Sequence, residues 1–335
     1  MVGNLIEQLN TKKGGALLPI TVLVTRDFEH MSEVGADVVK KNIIRILREK
    51  REFVLGLATG NSPTGLYKHL AKAANGREFD SGRIRSFNLD EYVGLPGENV
   101  QQRVMHPESY CYFMIQEFFG LLRKKFIETC VPYGALIDQK KLIKELKAYP
   151  EEWEELGGDA GRSIAIKEKA NSKYLTWIKT TILDGYTRKI RRAGGIDLQI
   201  IGVGGRGHVA FHESGIPSKN SRVLLVKLDD NTVANSVADG HFPSKREAPR
   251  YAVSMGVELV YQAGTVVLLA NGERKVSPVA ESLLKEVTPD IPISYGQVYA
   301  KRGGNLVYVL DKIAARELLA RKDVLQKKKI EIKVV

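Results

Sequence analysis

The sequence predicts an α/β protein: a three-layer α/β/α open sheet, mostly parallel and doubly wound, interrupted by a helical insertion. Three observations predict it. Apolar runs of strand length recur along the chain, several of them alternate with amphipathic stretches of helical period, and Gly-, Asn- or Asp-rich junctions close the runs. The 335 residues are enough to bury a large core as one unit spanning 1–335, with the helical insertion at about 136–180 and a basic C-terminal tail.

Taken in order, residues 20–24 form a first strand after a polar leader. Residues 27–50 form a helix that carries Val34, Val38, Val39, Ile43, Ile44 and Leu47 on one face. Residues 53–57 are the second strand. It runs into Ala58-Thr59-Gly60-Asn61-Ser62-Pro63-Thr64-Gly65 and then LYKHLAKAA, where Pro63 suits the first helical position and Asn61 or Ser62 the cap. Amides at such a helix start, with hydroxyls from Thr59, Ser62 and Thr64, can hold a phosphate. The G-K-[ST] ending of a Walker A loop is missing, so a nucleoside triphosphate is not implied, and a well-capped turn is the plain alternative.

Residues 83–87 are the third strand, leading to Asn88-Leu89-Asp90-Glu91-Tyr92. On extended backbone Asp90 and Glu91 diverge, so only one of them can face a site at the strand end. As an isolated pair they would more often be solvated loop charges. His106-Pro107-Glu108-Ser109-Tyr110 then opens a helix, with Pro and Glu in its first turn. From 138 to 192 the character changes: KKLIKELK, EEWEELGG and the stretch up to IRR are charged and helix-forming, with breaks at Gly157-Gly158 and Gly194-Gly195. Strands resume at 196–203 and continue at 223–228, 251–255, 265–269 and 306–310. Lys275, in Asn271-Gly272-Glu273-Arg274-Lys275, falls at a strand-to-helix junction. There it could give a second phosphate contact, although a surface lysine is the commoner case.

Residues 196–213, IDLQIIGVGGRGHVAFHE, admit three readings. GVGGRG fits a dinucleotide fingerprint, with Asp229 and Asp230 about 20 residues on, but Gly215 and Pro217 interrupt the helix such a site needs. His208 and His212 stand four apart and would share a helix face, yet no third metal ligand is indicated, so no metal is expected. The third reading is acid–base chemistry by His208 with Glu213 orienting the ring.

Composition narrows the partners. Fifty-one Lys and Arg against 39 Asp and Glu leave a net charge of +12, which favours acidic small molecules or phosphates. The basic runs at 123–125, 140–147, 188–192 and 321–333 read as solvated helical faces or a tail; no aromatic interleaving accompanies them, and nucleic acid is not expected. No run approaches the roughly 18 apolar residues of a membrane span. Only Cys111 and Cys130 occur, and the leader MVGNLIEQLNTKKGG lacks the apolar core of a signal peptide, so a cytoplasmic location is expected.

Together the junctions resemble the glucosamine-6-phosphate deaminase/isomerase family, whose relatives include the 6-phosphogluconolactonases. The resemblance rests on LGLATGNSPTGLYKHL, SFNLDEYVGL, HPESY, GVGGRGHVAFHES, TVANS and GERK, in the family's order across most of residues 50–133 and 196–310. It implies a cofactor-free, cytoplasmic enzyme that converts an amino-sugar phosphate to a ketose phosphate and ammonia. On the matching positions it implies Asp90 as the base that moves the C2 proton, His208 as the ring-opening acid–base and Glu213 as its carboxylate partner. Gly60, Asn61 and Ser62, beside Thr59, would hold the phosphate with Lys275. The partner is then a small phosphorylated sugar, and a homo-oligomer stays open. Two positions depart from the family pattern: Arg206 stands where G-x-D-G-H has Asp, and Val237 where an Arg follows A-N-S. Arg206 is expected to offer its guanidinium to an anionic group of the ligand. The alternatives are a sugar-phosphate sensor without chemistry and a lactonase-type hydrolase; the trio Asp90, His208 and Glu213 favours the enzyme, because a binding module needs no such set.

Overall fold

A computed structural model describes residues 20–238 and 240–335; the polar leader lies outside the described residues. Strand β1 (Ile20–Thr25) leads into the helix Phe28–Leu47, capped by Asp27, and β2 (Phe53–Leu57) into the helix Thr64–Asn75. Next come β3 (Ile84–Asn88), β4 (Asp90–Val93), the helix Tyr110–Glu117 and β5 (Glu128–Cys130). The helix Gln139–Ala148 precedes the hairpin β6 (Trp153–Gly158) and β7 (Gly161–Ile166). A helical run from Lys173 to Arg192 leads to β8 (Leu198–Ile201). Then follow β9 (Val223–Lys227), the helix Asp230–Ala238, β10 (Tyr251–Met255), β11 (Thr265–Ala270), the helix Val276–Leu284, β12 (Asn305–Asp311) and β13 (Ile330–Val334).

Eight strands form one sheet in the order β13-β1-β12-β11-β8-β2-β3-β5, with every pairing parallel. Strands β1, β2, β8 and β11 are buried along their whole length. Such continuous apolar strands are what a parallel sheet covered on both faces requires. From β2 the chain moves outward through β3 to β5, and on returning it lays β8 on the other side of β2 before continuing through β11 to β12. The connections after β2 and β8 therefore leave in opposite directions. The carboxyl ends of the strands at such a switch point are the place where open α/β sheets bind ligands.

The other five strands form a second sheet, β4-β10-β9-β7-β6, antiparallel throughout. Its strands β9 and β10, expected from sequence simply as further strands of the α/β series, are not in the parallel sheet. The two sheets meet at Leu89. Its N–H donates to the Leu57 carbonyl at 3.0 Å, and its carbonyl accepts from the Met255 N–H at 2.7 Å. A small apolar cluster, Tyr92, Phe211, Ile216, Val226, Val233 and Phe242, packs on this second sheet.

Two expectations need correction. The 136–180 segment is not simply helical: KKLIKELK lies in a helix capped by Asp138, but WEELGG is strand β6, paired with β7 across a two-residue turn. The basic tail is not a solvated face to its end. Residues 322–327 are helical, and Ile330-Glu331-Ile332-Lys333-Val334 forms β13, an edge strand parallel to β1. Alternation of Ile330, Ile332 and Val334 is the strand signal that the lysines obscure.

Candidate active site

Four adjacent strands, β3, β2, β8 and β11, present their carboxyl ends side by side, and each carries a candidate loop. After β2, the helix Thr64–Asn75 starts without a side-chain cap. Ser62, expected as a cap, turns away and donates from Oγ to Asn271 Oδ1 at 2.7 Å, which joins this loop to the one after β11. The amides of the helix start are thereby left without a competing side chain, as an anion site requires. Lys275 reaches from the β11 loop to donate to the Val203 carbonyl at 2.6 Å, and that ties in the loop after β8. Thr59, Gly60, Asn61, Ser62 and Lys275 are thus brought to one edge.

The β8 loop turns tightly, with the Gly204 N–H donating to the His208 carbonyl at 3.0 Å. The imidazole folds back over Gly204 so closely that a Cβ there would lie 1.8 Å from Nε2 and 2.1 Å from Cε1. No side chain fits beneath the ring. Gly204→Ala must therefore displace the imidazole, a shift visible in imidazole NMR; if His208 serves as an acid–base group, activity should fall by about 10²-fold with it. An unshifted imidazole resonance with parental turnover would refute the placement.

His208 is held neutral. Burial, then the charges of Lys275 and Arg206, push its pKa down to about 4. Glu213, buried, is pushed the other way, to about 7, chiefly by burial; the Asp229 N–H, donating to Oε2 at 2.8 Å, partly offsets this. Its Oε1 has no hydrogen-bond partner. His212 has a different role: its Nδ1 accepts from the Val257 N–H at 3.3 Å and its Nε2 donates to the Ile216 carbonyl at 3.1 Å. With both nitrogens engaged and the ring fully buried, it is a core histidine. Among the described residues no cluster of three or more His, Cys, Asp or Glu could hold a metal.

Asp90 and Glu91 separate as extended backbone dictates. Glu91 accepts from the Ser109 hydroxyl at 2.7 Å and from the N–H groups of Tyr92, Tyr110 and Cys111, so it caps the helix Tyr110–Glu117 from a distance. The acid in that first turn is therefore Glu91, and Glu108, expected there, instead meets His241 at 2.8 Å. Asp90 is also buried, but its Oδ1 is without a partner, and burial and then Glu91 raise its pKa well above the carboxylate range. The residue before it, Leu89, donates its N–H to the Leu57 carbonyl, so Asp90 follows directly beside the end of β2, where the 59–62 loop begins.

Arg206 lines the same cleft as His208 and Glu213, and its half-exposed guanidinium already has one carboxylate beside it. Nη1 pairs with Asp229 at 3.0 Å. Where the family pattern has an acid at position 206, this chain brings a carboxylate in from the end of β9, held by an arginine. Val237 packs against the apolar cluster of the second sheet and supplies no charge. Sequence reasoning weighed Asp229 only as part of a dinucleotide fingerprint and missed Asn231, Thr232 and Asn235, which line the cleft from the helix Asp230–Ala238. Their signal was the polar stripe at i, i+1 and i+4 in DNTVAN.

The fold is one shared by glucosamine-6-phosphate deaminases and 6-phosphogluconolactonases. A solved monomeric glucosamine-6-phosphate deaminase superposes with a TM-score of 0.63 at 23% identity, over 88% of this chain and 98% of that one. A 6-phosphogluconolactonase from Trypanosoma brucei superposes with a TM-score of 0.53 at 17% identity, over 89% and 98%. No protein-family model matches the chain. By sequence, the glucosamine-6-phosphate deaminase of Thermoanaerobacter pseudethanolicus is 32% identical over 294 residues, 88% of this chain and 93% of that protein. That of Clostridium acetobutylicum is 31% identical over 298 residues, 89% and 99%. The chain belongs to the glucosamine-6-phosphate deaminase family.

Proposed function

We propose that the chain binds a hexosamine 6-phosphate and converts it to the ketose phosphate and ammonia. The observation that carries this is the contrast between the two adjacent acids. Glu91 has its oxygens engaged by a helix N-terminus, while Asp90 keeps a buried oxygen without a partner at the junction of the two sheets. A buried carboxylate left unsatisfied is costly and calls for a functional explanation. The ammonium of an amino sugar would supply the missing partner and return Asp90 to its ionised form.

In this reading the loop 59–62 and Lys275 hold the phosphate, and His208, steadied by Glu213, moves a proton at the ring oxygen as the sugar opens. Asp90 takes the C2 proton to leave an enolamine and returns it at C1. Water then adds to the resulting imine and ammonia leaves, so that hexosamine phosphate and water give ketose phosphate and ammonia. Kinship with the deaminases supports this over a lactonase-type hydrolase. No helix among the described residues is long and apolar enough to cross a membrane, and a cytoplasmic site of action accords with the family.

The test is ammonia release across a panel of hexosamine 6-phosphates and their unphosphorylated counterparts. Release confined to phosphorylated substrates is expected. Tight sugar-phosphate binding with no ammonia from any member would reject the reaction in favour of a sensor.

A further inference from the structure

The hairpin β6–β7 lies in the inserted segment, and its tip reaches the cleft. We propose that this tip is a wall of the substrate site, with Ala160 setting the size of the group admitted beside His208 and Glu213, and Gly161 positioning Glu213. The proposal rests on the reading of the cleft as a sugar-phosphate site.

Ala160 lines the same cleft as Arg206, His208, Glu213 and Asp229. Next to it Gly161 lies so tightly on the β8-side loop that a Cβ there would be 2.5 Å from Glu213 Cβ and 2.8 Å from the Ser214 carbonyl oxygen. The contact is mutual, since a Cβ on Gly215 would be 3.3 Å from the Gly158 nitrogen.

The hairpin is also fixed at its base. Strand β7 pairs with β9 through Arg162↔Lys227, Ser163↔Val226 and Ile164↔Leu225. Glu155 accepts from Lys227 at 2.9 Å and from Arg162 at 2.7 Å. Strand β9 leads directly into Asp229 and the helix whose Asn231, Thr232 and Asn235 form another side of the cleft. The strands behind the tip are tied to that side of the cleft, so volume added at residue 160 on the cleft side is taken from the ligand. The lining, amides and hydroxyls around the Glu213 carboxyl, the His208 imidazole and the Arg206–Asp229 ion pair, suits a small polar group such as a hydroxyl or free amine rather than an N-acyl chain.

The experiment measures calorimetric binding of glucosamine 6-phosphate, sorbitol 6-phosphate and N-acetylglucosamine 6-phosphate to the parent, Ala160→Leu and Ala160→Gly, alongside kcat, KM and melting temperature. Overpacking in Ala160→Leu should weaken binding of the first two roughly tenfold or more and raise KM in step, with kcat and melting temperature little changed. Ala160→Gly should raise affinity for the N-acetyl sugar relative to glucosamine 6-phosphate.

A folded Ala160→Leu with the parent's affinities would overturn the proposal while leaving the functional reading intact. If Ala160→Leu does not fold, the Ala160→Gly ratio decides, and an unchanged preference for the free amine overturns it. Sensitivity to residue 160 without ammonia release would uphold the wall and reject the reaction. A parent that binds no sugar phosphate would reject both.

Discussion

Asp90→Asn is expected to bind a hexosamine 6-phosphate and fail to turn it over. The substitution keeps the shape of the side chain and removes its basicity, so under the proposed mechanism, with the loop 59–62 and Lys275 on the phosphate, binding should survive while C2 proton abstraction stops. Loss of a general base is worth about 10²–10⁴-fold, and exchange of the C2 proton with deuterated solvent should fall by that factor. The buried amide also relieves a desolvated carboxyl, so stability should not drop. Parental exchange in the variant would move the base elsewhere, but Glu91 is a poor successor because its oxygens hold a helix start.

The second large effect is expected at Glu213, where function and stability pull apart. Its folded-state pKa of about 7 lies above the ordinary carboxyl value of 4.5. The folded protein therefore binds this proton more tightly than the unfolded chain does. The associated stability is fully present below about pH 4.5 and is lost as pH rises through about 7. His208 and His212, both lowered to about 4, have the opposite sign: their contribution is present above the unfolded histidine value of about 6.5 and is lost as pH falls through about 4. Glu213→Gln removes only the first effect. Its amide oxygen can still accept from the Asp229 N–H, and denaturation above pH 7 should show a gain on the order of 3 kcal/mol over the parent, shrinking to nothing near pH 4. Under the proposed mechanism, in which Glu213 steadies His208 during ring opening, turnover should fall at the same time. A variant no more stable at pH 8 than at pH 4, relative to the parent, would show that the carboxyl is not strained in the fold.

The fold and the site were legible to different depths for physical reasons. Strands such as 53–57 and 265–269 announce themselves because burial on both faces leaves only apolar residues. The candidate residues Thr59, Asn61, Asp90, His208 and Lys275 stand out because each follows such a run, and their gathering at one edge follows from parallel pairing. The β6–β7 hairpin was not legible. EEWEELGG is rich in helix formers, and what makes WEELGG a strand is pairing with β7, itself held by β9, together with an ion pair from Glu155 to Lys227, a partner distant in sequence. Arg206 shows the same limit, since its ion pair with Asp229, a residue from the end of another strand, is not visible in the sequence. Sequence spacing could separate Asp90 from Glu91 by face. Only the three-dimensional arrangement reveals which face meets a helix start and which is left without a partner.

The position of β1 carries a consequence for how the chain acquires its shape. Ile20 pairs with Leu306 on one side and Ile330 on the other, so ITVLVT, wholly apolar but for two threonines, has no neighbour in the sheet until almost everything after it has been made. At ribosomal speeds of about 5–20 residues per second, that is a wait of roughly 15 to 60 s. Through that interval an early-synthesised segment of high β-propensity carries open edges on both sides, the condition under which nascent chains aggregate. The helix Phe28–Leu47, which follows within three residues and needs only local hydrogen bonds to form, is the natural cover for it while it waits. Substitutions that strip the apolar face of that helix should therefore lower soluble yield more than they lower the stability of the finished fold, measured as yield against melting temperature.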